Sequence, residues 1–591
     1  MSSSIVSSLI QDFYTTRIGG TKDTAALLSL AGAGVMTSPA LASSVPTSVS
    51  ALLAAVGAGY FTARFLSPVT TKRLLESNVE VQSDHSPHEI NNKKWDGFLI
   101  GYTTDTAEPV YVDDVHAQRH LLIVGMTGVG KTVLGMLLMY QQIMRGGGML
   151  FIDGKLDSDN LRAVWQYCQL AGRPQDFQVI NPGDPDNSNT YNPILFGDSD
   201  EVASRILSLI PSTENNPGAD HYKQEANQGV ATIVGALQRA NLAYNMIDIS
   251  VLLNSAAALG ELERTLAHSE TGRDSEELKN FRLFLDKFRA PDPRTGVATL
   301  NISKLKDTFG GIAGRMYMFG TGNFGRVMNT YDPDVRLYES IRERKVIYVA
   351  LPTMGKNEAA NNFGKMILGD LRTAISWIQA LPEHERPNPP FLCFLDELGS
   401  YATSSLARPF EQSRSARVIL CGALQTLANL DAVSEEFRQM VLGNTWTKIY
   451  FLLGEQDTAL ACAETIGQHL GVLKSISDTT SDTTSASFLR ATPESSNASG
   501  SGFSMGERQQ EEYIVSPDTL KMLDKGEVIM TYGGSSIYNL RIPFIQVGKE
   551  AEESFGPPIL TRPLPRQFKQ GACFAIDPGR FMQTVAGAAP V

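Results

Sequence analysis

Short, uninterrupted apolar runs recur along this chain. Leu121–Val124 (LLIV), Val346–Leu351 (VIYVAL), Phe391–Leu395 (FLCFL) and Val418–Ala423 (VILCGA) are the clearest, with Phe151-Ile152 closing another. Runs of this length without alternation read as strands buried on both faces, as in a parallel sheet covered by helices. The first run is followed by apolar residues at Leu134, Leu137, Leu138 and Met144, a helical spacing. Between Asp153 and Val346 the pattern changes. Asp200–Leu209, Tyr222–Asn241, Ile247–Thr265 and Ser275–Arg289 carry apolar residues at a period of 3.6, with Val230, Ile233, Val234 and Leu237 on one face of the second. The expectation is an α/β domain interrupted by an inserted all-α domain at 196–340, its two sheet-forming parts being 71–195 and 341–475. Residues 476–512 (SISDTTSDTTSASF, then PESSNASGSGFS) hold too few apolar residues to pack and read as a flexible polar linker or loop, with an ordered β-rich excursion as the alternative. Alternation returns over 513–550 as closing strands, and 551–591 is a C-terminal extension without a clear pattern.

The stretch between Asp23 and Arg64 contains no Asp, Glu, Lys or Arg. A spanning helix takes ~20 apolar residues, so this stretch fits two spans. Pro39 and Pro46, with Ser43 and Ser44 between them, supply the break. Arg17 and Lys22 precede the pair and Arg64, Lys72 and Arg73 follow it, which places both ends on the cytoplasmic side. Residues 1–70 are thus expected to form a transmembrane hairpin, with the remainder in the cytoplasm. A buried Ala-rich hairpin in a soluble protein is the competing account.

Composition narrows the class. Of 591 residues, 42% are hydrophobic and 19% charged, which excludes a disordered chain and a charged coiled coil. A net charge of −12 argues against a protein that coats nucleic acid, while leaving room for a local basic groove. The five cysteines contain no C-x-x-C pair, which argues against a disulfide scaffold or a zinc site. His85-Ser86-Pro87-His88 stands in a polar stretch and is read as solvated, with no transition metal expected.

The candidate chemistry is concentrated after the first apolar run. Gly125-Met126-Thr127-Gly128-Val129-Gly130-Lys131-Thr132 satisfies G-x-x-x-x-G-K-[ST] between a strand and a helix. In such a P-loop the glycines let backbone N–H groups wrap phosphates, Lys131 reaches the β- and γ-phosphates, and the Thr132 hydroxyl ligates Mg²⁺. The helix N-terminus adds its dipole. ATP and Mg²⁺ are the implied cofactors. A second, acidic element is needed, and Asp396-Glu397 supplies it at the C-terminal end of FLCFL, where open α/β sheets bind ligands. Asp396 is assigned to the metal and Glu397 to the attacking water. Gln425, at the tip of VILCGA, is a candidate γ-phosphate sensor. Arg414 and Arg417 are candidates for a cation donated by a neighbouring subunit, and Arg119 is a weaker one. For each arginine a solvated surface charge is an equal alternative.

No LSGGQ-like signature and no N-K-x-D are present, which disfavours transporter ATPases and GTPases. Arg119-His120-Leu121 running into the P-loop, Phe151-Ile152-Asp153-Gly154-Lys155, Val346–Pro352, the Pro-rich lead into Leu395-Asp396-Glu397-Leu398-Gly399-Ser400, Gln425, Asn444–Phe451 and Ser516–Met530 together resemble the TraG/TraD-type coupling ATPases of conjugation and type IV secretion. The branch that includes the Dot/Icm systems and IncI-like plasmids is the nearer likeness. Two departures stand out. Leu156 follows Lys155 where a Gly is expected, though Asp157 keeps the acid, and the long acidic tail of some members is missing before Pro590-Val591. The resemblance implies a RecA-like motor domain that assembles as a homo-hexamer at the inner membrane and contacts the type IV secretion channel components. Its cargo would be a relaxase-DNA complex or secreted effector proteins. It also implies that the inserted domain faces the ring, where Lys304, Lys306 and Arg315 could line a pore. Two other classes stay open: a soluble FtsK/HerA-like hexameric DNA-pumping ATPase, and a scaffold that binds ATP without turning it over. Retention of a glutamate at 397 argues against the scaffold, because a binding-only site can dispense with a general base.

Overall fold

The computed structural model describes residues 97–562 apart from 156, 211–216, 292–295, 297, 353–356, 486–495, 535, 546 and 548–553. The expected membrane hairpin, the His85–His88 stretch and most of the C-terminal extension lie outside the described residues. Among the described residues no helix is long and apolar enough to cross a membrane.

An 11-stranded sheet organises the chain, in the order β2-β1-β15-β14-β11-β3-β10-β9-β4-β8-β5. Its parallel part runs from β11 (Thr447–Tyr450) through β3 (Leu121–Val124), β10 (Val418–Leu424), β9 (Phe391–Leu395), β4 (Met149–Asp153) and β8 (Val346–Ala350) to β5 (Phe177–Ile180). An antiparallel flank of β14 (Glu527–Tyr532), β15 (Ser536–Arg541), β1 (Gly97–Thr103) and β2 (Pro109–Asp113) completes it. β3, β4, β8, β9 and β10 are buried along their whole length, which is why they read as apolar runs and not as alternation.

Alternate residues of these strands enter two separate cores. Leu121, Ile123, Met149, Phe151, Leu392 and Phe394 face helices α1 (Lys131–Met144) and α2 (Ser158–Leu170). Leu122, Val124, Leu150, Ile152, Cys393 and Leu395 face the helical side. The period-2 geometry of a strand divides them. Four of the five cysteines are described; all four are buried free thiols.

The helical side contains the insertion between β5 and β8. It comprises α3 (Ser199–Leu207), α4 (Pro217–Arg239), α5 (Met246–Asn254), α6 (Ala256–His268), α7 (Glu276–Asp286), α8 (Ile302–Phe319) and α9 (Gly322–Met328). Val230, Ile233, Val234 and Leu237 of α4 are fully buried, as their spacing predicts. The structure departs from the sequence reading in three ways. The single helix expected over Ile247–Thr265 is two, because Ser255 takes an extended backbone and its side chain accepts the Ala258 N–H as an N-cap. α8 has no counterpart in the reading; Gly310, Gly311 and Gly314 weaken its helical signal. The insertion is also not purely helical, since β6 (Arg289–Pro291) and β7 (Ala298–Leu300) pair within it. After a short helix at Leu337–Arg342 and strand β8 comes α10 (Asn357–Gln379), which joins insertion to sheet. Its Asp370 pairs with the buried Arg205 of α3 at 3.1 Å and accepts a hydrogen bond from the Tyr191 hydroxyl at 2.7 Å. Burial holds the Asp370 carboxyl above its ordinary pKa, against the pull of Arg205.

The polar stretch expected as a flexible linker contains paired strands instead. β12 (Gln468–Ser485) and β13 (Ser496–Tyr513) form an antiparallel ribbon in continuous register from Gln468–Tyr513 to Ser485–Ser496. Lack of apolar residues prevents a core there, but it does not prevent two backbones from satisfying each other's N–H and C=O groups.

His120 sets the entry to β3. It adopts φ of +69° and is fully buried. Its Nδ1 accepts the Leu420 N–H at 3.2 Å, and its Nε2 lies 3.3 Å from the Ser413 hydroxyl. Burial pushes its pKa down to about 3, so the folded ring stays neutral where an unfolded one protonates. The unfolded chain therefore binds the extra proton below pH ~6.5, and stability is lost as pH falls from there toward the folded value. The slope is at most about 1.4 kcal/mol per pH unit. Denaturant unfolding of wild type and His120→Asn between pH 7 and 4.5 should show a shallower acid-side loss in the variant. Parallel curves would mean that His120 contributes no such linkage.

Candidate functional site

β3 ends at Val124, and the chain leaves the sheet as a loop that returns as α1 at Lys131. The Gly125 N–H donates to the Leu424 carbonyl at 3.1 Å and the Met126 N–H to the Leu452 carbonyl at 2.9 Å. The loop is thus tied to the ends of both neighbouring strands. Its floor is Phe451, fully buried just past β11. A Cβ on Gly125 would come within 2.5 Å of the Phe451 Cβ, and one on Gly130 within 3.1 Å of its Cε1. Gly130 also has φ of +122°, which L side chains rarely adopt. On the far side, the Val129 carbonyl accepts the Gly526 N–H at 3.0 Å. Neither Phe451 nor Gly526 was a candidate from the sequence, since an apolar residue after a strand and a turn glycine carry no chemical signal of their own.

The Lys131 ammonium folds back into this loop and donates to the carbonyls of Gly125 and Met126. Burial pulls its pKa below the ordinary lysine value, with Glu397 and then Asp396 acting in the opposite sense. Thr132 is half-buried in the first turn of α1.

The acids stand two strands away at the tip of β9. Asp396 is completely buried. Its Oδ1 accepts the Glu397 N–H at 3.1 Å, while Oδ2 has no hydrogen-bond partner among the described residues. Burial, more than any neighbouring charge, raises its pKa to about 6. An orphaned carboxylate oxygen in so dry a place is the kind of donor that a hard divalent cation satisfies, with the Thr132 hydroxyl as a second oxygen. The residues therefore fit Mg²⁺. Glu397 occupies the left-handed region with φ of +53°, a conformation that active-site residues hold at some strain. Its Oε1 accepts a hydrogen bond from Gln425 Nε2 at 2.7 Å. Gln425 directly follows β10, the strand between β3 and β9, so it stands between the loop and the acid in the order of strand tips.

The structure thus brings Lys131, Asp396, Glu397 and Gln425 to one edge of the sheet. It adds Lys155, which the sequence reading used only as a mark of resemblance. Lys155 Nζ lies 3.4 Å from Glu397 Oε1 and 3.9 Å from Asp396 Oδ2. Its backbone is fixed by Asp153, whose Oδ1 accepts the Lys155 N–H at 2.8 Å and whose Oδ2 accepts from Tyr348 and Asn160. The available signal was positional, a charged residue just past the tip of a buried strand.

Arg414 and Arg417 do not join this cluster. Both precede β10, so the full length of a parallel strand separates them from Gln425 at its other end. Arg417 pairs with Glu383 at 2.8 Å, Arg414 is exposed, and both line a cleft of about 670 Å³ with Glu383, Arg386 and Glu411. Arg119 lies at the same end, its guanidinium 4.3 Å from the centre of the Trp446 ring. In the insertion, Lys304 and Lys306 are exposed on α8, while Arg315 donates to the Leu209 carbonyl.

With this geometry in place, comparison with known proteins is informative. The family described as the TraM recognition site of TraD and TraG matches residues 390–525, the segment from the start of β9 to the P-loop's far support. The type 4 coupling protein DotL of Legionella pneumophila is 26% identical over 392 residues, which are 59% of this chain and 49% of DotL. Both matches make the chain similar to TraG/TraD-type coupling proteins. The chain spans about half the length of the curated relative it matches. Its fold is also that of the conjugative coupling protein TrwB. The unbound TrwB structure covers 81% of this chain and 95% of its own, at a TM-score of 0.50 and 17% identity. TrwB with the non-hydrolysable GTP analogue GDPNP gives 81%, 96%, 0.50 and 16%.

Gly130→Ala should destabilise the protein by about 1–3 kcal/mol, from strain at positive φ and the approach to Phe451. The denaturation midpoint measures this, and an unchanged midpoint would mean that the loop relaxes without cost.

Proposed function

We propose that this chain is the motor of a type IV secretion or conjugation machine, an ATPase that couples ATP hydrolysis to translocation of its cargo. The observation that carries the reading is the convergence of Lys131, Asp396, Glu397 and Gln425 on adjacent strand tips, with one buried Asp396 oxygen unpartnered. The fold shared with TrwB, itself solved with a nucleotide analogue, supports it.

In this mechanism the backbone of Gly125–Thr132 and the dipole of α1 hold the phosphates of ATP. Lys131 leaves the carbonyls of its own loop for the β- and γ-phosphate oxygens. Thr132 and Asp396 would hold Mg²⁺, which supplies charge neutralisation when bound. Glu397 orients a water and takes its proton, and Gln425 links the γ-phosphate position to Glu397. A cation donated in trans would come from Arg414 or Arg417, since both stand outside their own chain's site. The same reading takes the motor as a homo-hexameric ring in the cytoplasm, anchored in the inner membrane by a hairpin within residues 1–70. The partners are channel components and a relaxase-DNA complex or effector proteins.

The central test is ATP turnover by the full chain. Lys131→Ala should abolish nucleotide binding. Glu397→Gln should bind ATP normally yet lose activity by about 10²–10⁴-fold, the usual worth of a positioned base. Equal turnover by wild type and Glu397→Gln would reject the motor, and ATP binding without turnover in wild type would favour the scaffold. Removal of residues 1–70 should release the protein from the membrane fraction; continued sedimentation with membranes would reject the hairpin.

A further inference from the structure

The acid pair is flanked by two lysines, and only one of them belongs to the P-loop. Lys155 comes from the opposite side, at the tip of β4, the strand next to β9. Its ammonium is shared unequally between Glu397 Oε1 at 3.4 Å and Asp396 Oδ2 at 3.9 Å. The second distance is beyond hydrogen bonding, and that oxygen has no other partner among the described residues. The mount of Lys155 is rigid and its head is not. The backbone N–H is held by Asp153, whereas the side chain is 35% exposed, so the ammonium can swing on its stem without moving the strand. Charge explains why it stands there. Asp153, Asp396 and Glu397 gather at two neighbouring strand tips, and three carboxylates so close, two of them buried, need a compensating cation.

We propose that Lys155 is a stand-in cation for the acid pair, a positioning residue that holds Asp396 and Glu397 in place before nucleotide loading and is displaced when a divalent cation enters with the triphosphate. The inference rests on the reading of this cluster as a nucleotide site. An ammonium and a divalent ion cannot share the same carboxylate oxygens without repulsion. Arrival of the metal therefore frees Glu397 Oε1 from one of its two partners and leaves it held by Gln425 alone. The carboxylate is thus held from two sides in the empty site and from one in the loaded site, which ties its freedom to meet a water to loading.

The test is a Mn²⁺ titration of the full chain with a non-hydrolysable ATP analogue, free Mn²⁺ being followed by electron paramagnetic resonance. Lys155→Gln and Lys155→Met should bind Mn²⁺ about tenfold more tightly than wild type, as expected for removing one positive charge beside the ion. Lys155→Arg, which keeps the charge, should match wild type. Analogue binding in chelator should stay within about twofold for all of them, because Lys155 is not part of the loop that holds the phosphates. Unchanged or weaker Mn²⁺ binding in the two neutral variants, or tightening in Lys155→Arg as well, overturns the proposal. Failure of wild type to bind the analogue at all would instead overturn the nucleotide reading beneath it.

Discussion

Parallel register is the constraint on which this molecule depends. Val124 lies beside Leu424, Gly422 beside Leu395, and Leu395 beside Ile152. With those pairings, the residues that follow β3, β10, β9 and β4 all leave the sheet at the same edge. A slip of one residue in any pair would exchange the two cores, because it turns every side chain of that strand to the opposite face. The apolar residues that face α1 and α2 on one side and α10 and the insertion on the other therefore do more than hold the layers together. They fix which polar residue emerges next to which.

Buried charge is the cost of this arrangement, and each instance is balanced locally. Asp153 accepts from a backbone N–H, a tyrosine and an asparagine. Asp370 is held between Arg205 and Tyr191, which joins the insertion to the sheet through a dry ion pair where apolar packing alone would not set an orientation. Asp396 is the least balanced of the three: its Oδ2 has no hydrogen bond among the described residues and Lys155 stands 3.9 Å from it, against 3.1 Å between Arg205 and Asp370. Structures seldom leave a buried polar atom so placed without a use. The imbalance is concentrated where charge is to arrive.

The sequence made some of this legible and concealed the rest for identifiable reasons. Strands buried on both faces announce themselves as apolar runs, so β3, β8, β9 and β10 were visible, and with them Lys131, Asp396, Glu397 and Gln425. The glycine-rich loop has a pattern because phosphate chemistry demands one. Supports do not. Phe451 and Gly526 act through shape and a single backbone hydrogen bond, and nothing in their residue types marks them. α8 was hidden by its glycines. The β12–β13 ribbon was hidden because composition reports on core formation and is silent about backbone pairing. Arg414 and Arg417 are near Gln425 in sequence, yet β10 carries the two ends to opposite edges of the sheet, which leaves these arginines outside their own chain's cluster.

The loop's floor and far support come from late in the chain, Phe451 and Gly526, whereas the loop itself is near residue 130. During synthesis the glycine-rich segment emerges long before the residues that back it, and β9 and β10 also follow the insertion. The sheet's most sequence-distant pairings must therefore close before the loop has a fixed shape, a slow step for any chain. A nascent chain of this protein is consequently blind to its nucleotide, and becomes able to grip it only when nearly all of the domain has left the ribosome.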